Sequence, residues 1–161
     1  MVLEREFVPL SLITVFSDSR PRTFVRGIRM LNARRQILVQ DEITATAGIQ
    51  WRMHTNATIA VDTSGTSATL KIEDKTLIVQ LLNAPTGAKF ERLDPVRTAN
   101  APQLNPGQEA DQENPGVSVL AITLPAGTYS LQVLFNPQWP GFSSFKTPPA
   151  VALANWSLTS H

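Results

Sequence analysis

The sequence contains no cysteine, only two histidines and a single tyrosine. Without cysteine the chain can form no disulfide bond, no thiolate zinc site and no cysteine nucleophile. His54 and His161 are too few for a zinc site built on histidine. A glycine-rich phosphate-binding loop and a Gly-x-Ser-x-Gly nucleophile motif are also missing. The sequence therefore predicts no metal site, no cofactor and no complete catalytic site.

The sequence also lacks any apolar run close to the length of about 20 residues that a membrane-spanning helix needs. No membrane partner is predicted. Charged residues between Met1 and Phe7 stand where a signal peptide would need an apolar core, which predicts a soluble chain that is already processed or truncated. Two glycosylation triplets, which begin at Asn56 and Asn155, suit a secreted protein. We therefore predict an extracellular location.

Positive and negative charges nearly balance, with 14 Lys and Arg against 13 Asp and Glu. The formal net charge of +1 argues against nucleic acid as a partner, because a phosphate backbone calls for a dense positive field. Positive charge is concentrated between Arg20 and Arg29 and continues at Arg34 and Arg35. This run could bind an acidic polysaccharide, or its arginines could line a solvated sheet face.

Apolar residues alternate along several short segments, which is typical of half-buried strands. A chain of 161 residues has the size of one domain. The alternation and the turn residues predict an all-β fold, an antiparallel two-sheet β-sandwich built of hairpins. The predicted hairpins are Thr23 to Thr44 with a turn at Asn32 to Arg35, Ile49 to Thr55 with Thr58 to Asp62, Ala68 to Ile72 with Thr76 to Leu82, and Gly116 to Leu124 with Thr128 to Phe135.

Two segments rich in proline interrupt this pattern. Residues 94–115 contain no periodic run and are predicted to form a long mobile loop. The segment from Asn136 to Pro149 carries Trp139, Phe142 and Phe145. These aromatic residues could pack back on the sandwich, or could stack on a sugar ring.

The candidate binding residues lie mainly in one strand, Gln50 to Thr55. Strand alternation places Gln50, Arg52 and His54 on one face and Trp51 on the other. Arg52 could clamp a carboxylate, His54 could act as an acid or base, and Trp51 could stack on a sugar. The alternative is that Arg52 and His54 are hydrogen-bonded residues of a half-exposed strand.

A catalytic role is not predicted for the single tyrosine. Tyr129 is in register with Leu131 and Val133, so its ring should point with the core residues and its hydroxyl should reach the sheet edge.

Four segments together resemble the C-terminal β-sheet region of heparinase II/III-like polysaccharide lyases. In that family an apolar strand that ends in an acidic residue is followed by a strand with Trp and His. The resemblance covers roughly Phe24 to Phe135. The matching segments are Arg26-Gly-Ile-Arg-Met-Leu, Ile37-Leu-Val-Gln-Asp-Glu-Ile, Trp51-Arg-Met-His-Thr and Leu77-Ile-Val-Gln-Leu-Leu.

The resemblance implies a role for this chain as one part of a lyase. In the family an α/α toroid supplies the catalytic tyrosine, and a β-sandwich closes the substrate cleft, adds a histidine and often binds structural zinc. Those β-region residues lie upstream of the resembling segment, so their roles do not transfer to His54. The resemblance thus implies a non-catalytic domain that supports a cleft for an acidic polysaccharide. Its partner would be an α/α-toroid domain, which has no counterpart in this sequence. One alternative is a free-standing carbohydrate-binding module that uses Trp51, Trp139 or Trp156 as a stacking platform, and another is a purely structural interaction domain.

Overall fold

The computed structural model describes residues 13–15, 23–96, 106–107 and 114–157, which form ten strands and one short 3₁₀ turn. In these residues no helix is long and apolar enough to cross a bilayer. Arg20, His161 and most of the predicted 94–115 loop lie outside the described ranges. The strands are β1 (Ile13–Val15), β2 (Thr23–Leu31), β3 (Gln36–Ala45), β4 (Ile49–Thr55), β5 (Thr58–Val61), β6 (Ser67–Ile72), β7 (Lys75–Leu82), β8 (Phe90–Leu93), β9 (Ser118–Leu124) and β10 (Gly127–Pro137), and the 3₁₀ turn is Leu153–Asn155.

The strands form two antiparallel sheets. The smaller has the order β1-β4-β9-β8, and the larger has the order β2-β3-β10-β7-β6-β5. Alternate residues of both sheets meet in one core, because each strand exposes only one of its faces to the space between the sheets. The predicted all-β, two-sheet sandwich is confirmed. The core includes Ile43, Ile49, Trp51, Val79, Leu120, Ile122, Leu124, Leu131 and Val133.

Two of the four predicted hairpins are wrong. The pairs β2–β3 and β6–β7 form as expected. However, β4 pairs with β1 and β9 in the smaller sheet, whereas β5 belongs to the larger sheet. Likewise β9 and β10 lie in different sheets. The reason is that alternation identifies the face that a strand buries, and a short connection can turn a corner between two sheets as well as reverse within one.

The corner between β9 and β10 is closed by Tyr129. Its hydroxyl donates a hydrogen bond to the carbonyl of Pro125 at 2.9 Å. A Cβ on Gly127 would lie 2.7 Å from that hydroxyl, so glycine leaves the space that the tyrosine occupies. The ring packs against the core. The predicted placement of Tyr129, with its ring toward the core and its hydroxyl at the edge, is confirmed.

A C-terminal tail, residues 138–157, packs on the outer face of the larger sheet. Gln36 donates to the carbonyl of Lys146 at 3.0 Å and accepts from its amide at 3.0 Å. Gln40 donates to the carbonyl of Val151 at 2.8 Å. The tail has little regular structure, so its backbone groups need side-chain partners. The amides of β3 supply those partners, which explains why they are buried although they face away from the core.

The end of the tail packs against β2 at a position that has no side chain. A Cβ on Gly27 would lie 2.8 Å from the ring of Trp156 and would collide with Leu153. Glycine here lets the tail approach the backbone of β2 closely.

Strand β2 forms one edge of the larger sheet. Phe24 pairs with the core residue Ile43, so Phe24 and the alternate residues Ile28 and Met30 face the side of the sheet that carries the core. Their exposed fractions are 41%, 57% and 63%. The smaller sheet therefore leaves this apolar side of β2 uncovered. We call Phe24, Ile28 and Met30 the β2 stripe.

Candidate functional site

Trp51 lies in the core between the two sheets. It is 1% exposed and pairs with Ile122 of β9. A ring in this position has no face open to a sugar, so the structure does not support the predicted stacking role of Trp51.

Gln50 and Arg52 point to the outer face of the smaller sheet, as predicted, but both are buried. Gln50 donates to the hydroxyl of Thr123 at 3.1 Å, and Arg52 donates to the carbonyl of Val96 at 3.2 Å. The Nε of Arg52 is enclosed by the protein, and none of the described residues accepts a hydrogen bond from it. In this arrangement Arg52 holds the backbone of the chain, and its guanidinium is closed to a sugar carboxylate.

His54 follows on the same face and is exposed. Partial desolvation of its ring lowers the pKa of His54, and the positive charge of Arg52 lowers it further. At neutral pH the imidazole is therefore mainly uncharged. No set of three or more His, Asp or Glu side chains in the described ranges could hold a metal ion.

Trp139 lies elsewhere, at an open pocket where the β2–β3 turn meets the C-terminal tail. The pocket has a volume of about 390 Å³ and is lined by residues 33–35 of the turn and residues 139–142 of the tail. Trp139 is 47% exposed. We call this site the turn–tail pocket.

The turn side of this pocket is held by an unusual backbone. Asn32, Ala33 and Arg34 have φ angles of 52°, 55° and 67°. The amide of Arg35 closes the turn on the carbonyl of Leu31 at 3.1 Å. This left-handed run places both arginines on the outside of the turn.

The tail side is tied to the turn by hydrogen bonds. The indole Nε1 of Trp139 donates to the carbonyl of Arg35 at 3.1 Å. The side chain of Asn32 donates to the carbonyl of Ser144 at 3.0 Å. The amide of Phe142 donates to the carbonyl of Trp139 at 3.1 Å. The two walls of the pocket are therefore held together by contacts of the folded chain.

Two arginines give this pocket a positive charge. The Arg35 guanidinium lies 4.9 Å from the centre of the Phe142 ring, and that ring meets Phe145 edge to face at 5.2 Å. Neither Arg34 nor Arg35 forms an ion pair with a carboxylate in the described part of the chain. An exposed indole beside two arginines can stack on a ring and bind an anion.

The arginines of the turn and the aromatic residues of the tail are each visible in the sequence, but nothing in the sequence places them together. Trp139 and Arg35 are 104 positions apart. Trp156, another predicted stacking platform, is half-buried. Its indole Nε1 donates a hydrogen bond to the carbonyl of Val151 at 3.1 Å.

Known family models and curated proteins contain no match to this chain. The resemblance to heparinase II/III-like lyases therefore stays a prediction.

Proposed function

We propose that this chain is the non-catalytic C-terminal β-sandwich domain of a heparinase II/III-like polysaccharide lyase, and that it supports a cleft for an acidic polysaccharide. The observation that carries the proposal is the uncovered β2 stripe. Its residues continue the core side of the larger sheet beyond the smaller one, so they suit the apolar surface of a second domain. In this proposal the second domain is the α/α toroid.

The chemistry around the β2 stripe supports a protein partner. Arg26, the charged residue among the stripe side chains, is neutralised by Asp41 and is 10% exposed. The surface is thus apolar along its length, which favours an apolar protein surface over a charged polymer. The polysaccharide would bind elsewhere on the chain. The exposed positions of Asn56 and Asn155 support an extracellular location.

A second candidate, a free-standing carbohydrate-binding module, is favoured by the turn–tail pocket. This pocket has the local aromatic and polar character of a sugar site and needs no second domain. The two candidates differ in what the β2 stripe does.

The first experiment is a calorimetric titration of the whole chain with polygalacturonate, alginate and neutral dextran. The same samples are followed for the ultraviolet absorbance of new unsaturated uronate ends. Heat with the two polyuronates and no new absorbance is the expected result. New absorbance would contradict the non-catalytic assignment, and no heat with either polyuronate would contradict the polysaccharide role.

The second experiment separates the two candidates by probing the β2 stripe. Ile28→Lys and Met30→Lys should reduce the fluorescence of a dye that binds exposed apolar surface, with little change in melting temperature. Ile72→Lys is the matched control, because Ile72 is 48% exposed in another strand. Equal dye binding by the stripe variants and the control would show no special apolar surface at β2, and would favour the free-standing module.

A further inference from the structure

We infer that the turn–tail pocket binds one uronic-acid unit of a polysaccharide, with the sugar ring on Trp139 and the carboxylate on Arg35, assisted by Arg34. The inference rests on the proposed function for the general class of ligand, an acidic polysaccharide. It adds the location of the binding site and the side chains that recognise the uronic-acid unit.

Trp139 provides the platform. Its exposed fraction of 47% leaves ring surface open, whereas the hydrogen bond from Nε1 to the Arg35 carbonyl at 3.1 Å fixes the orientation of the indole. An indole whose polar end is held and whose side chain is about half exposed is suited to the apolar face of a sugar ring. The other two tryptophans are buried or half-buried and do not offer this combination.

Arg35 provides the anion site. The central carbon of the Arg35 guanidinium lies over the Phe142 ring, 4.9 Å from the ring centre, and a guanidinium in this position can still donate from its N–H groups. Those groups form a fork that matches the two oxygens of a carboxylate. Arg34 adds a second positive charge on the same turn, and no described carboxylate competes for either residue.

Contacts within the chain hold both walls of the pocket in place. Phe145 holds Phe142 edge to face, and Asn32 joins the turn to the tail. A site whose groups are already ordered loses less conformational entropy on binding. Its volume of about 390 Å³ lies within the range of ligand sites, about 300–1,000 Å³.

The test is a calorimetric titration of the whole chain with an oligogalacturonate, with sulfated dextran and neutral dextran as comparison ligands. Arg35→Gln should weaken oligogalacturonate binding roughly 10- to 100-fold, since it removes a charge-assisted contact. Trp139→Ala should weaken it roughly tenfold. Binding should also weaken as salt is added.

Lys89→Gln is the matched control. Lys89 is exposed and packs beside Gly65, in the loops away from this pocket, and its replacement removes the same charge as Arg35→Gln. The control should bind like the parent chain. Melting temperatures of all variants show whether each one is folded, and Trp139→Phe, which keeps a ring, should retain more affinity than Trp139→Ala.

The outcomes distinguish this inference from the proposed function. A parent chain that binds oligogalacturonate, with folded pocket variants that bind equally well, would overturn the pocket and leave the proposed function in place. A parent chain that binds no polyuronate would overturn both. Preference for sulfated dextran over oligogalacturonate would overturn the carboxylate assignment, and equal binding of neutral dextran would overturn the role of the arginines.

Discussion

Replacing Arg26 with methionine should lower the free energy of unfolding by about 3–5 kcal/mol, because it leaves a buried carboxylate without its cation. Arg26 binds both oxygens of Asp41, at 2.6 Å through Nε and 2.6 Å through Nη2. The side chains are 10% and 1% exposed. Asp41 therefore has almost no water to replace the lost hydrogen bonds, and the single replacement should be costly.

An exposed ion pair of the same length provides the control. Lys75 and Asp74 are also 2.6 Å apart, but their side chains are 75% and 76% exposed. Water solvates both partners when this pair is broken, so Lys75→Met should change the free energy of unfolding by at most about 1 kcal/mol. The comparison shows that distance alone does not set the stability of an ion pair, since the two pairs have the same length and differ in exposure and in the number of hydrogen bonds.

The pH dependence of the Arg26→Met variant gives a second measure. Burial raises the pKa of Asp41, and the hydrogen bonds and charge of Arg26 oppose this rise. Without Arg26 the pKa should rise further. A carboxyl whose pKa is raised by folding contributes most to stability below its unfolded pKa of about 3.9, and this contribution is lost as pH rises. The variant should therefore lie closer to the parent chain in acid than at neutral pH.

Urea denaturation of the parent chain and the variants, at acid and neutral pH, measures these differences. The double replacement Arg26→Met with Asp41→Leu should recover much of the loss, because it removes the buried charge together with its partner. A loss for Arg26→Met no larger than that for Lys75→Met would refute the reasoning, as would a double replacement that is less stable than Arg26→Met alone.

Three further predictions concern Gly27 and His54. Gly27→Ala should destabilise the chain by about 1–3 kcal/mol, because its Cβ would lie 2.8 Å from the Trp156 ring; unchanged urea denaturation and unchanged tryptophan fluorescence would contradict this. His54→Ala should change stability by less than about 0.5 kcal/mol and leave polysaccharide binding intact, and lost binding at an unchanged melting temperature would contradict it. In NMR titrations the pKa of His54 should lie below its usual value, and Arg52→Gln should raise it.

The parts of the fold that could be predicted from sequence are those set by local turns. The β2–β3 turn spans a few residues, so the two strands it joins lie side by side in one sheet. The same holds for β6 and β7. In these pairs the connection and the alternation of apolar residues agree, and together they determine the pairing.

The partners of β4 and β9 could not be predicted in this way. Trp51 pairs with Ile122, far along the chain, and no residue pattern in either strand identifies the other strand as its partner. Strand β9 is buried on both faces, since Val119 and Ala121 are as inaccessible as Leu120. A strand with two buried faces fits an interior position in a sheet, but it does not identify its neighbours.

The orientation of β4 was open for a related reason. Its alternation correctly separated Trp51 from Gln50 and Arg52, but either face could be the functional one. The burial of Gln50 and Arg52 depends on what covers the outer face of the smaller sheet. That covering comes from tertiary structure, so the sequence of one strand cannot tell a buried Arg52 from an exposed one.

The amides of β3 show how the fold and the candidate site depend on the same contacts. Gln36 and Gln40 face away from the core, yet they are 0% and 1% exposed. They are buried because they bind the backbone of the tail that carries Trp139 and Phe142. An irregular segment can lie on a sheet only when its amides and carbonyls find partners, since a buried unpaired group is costly. The polar face of β3 thus stabilises the sandwich and, through the tail, positions one wall of the turn–tail pocket.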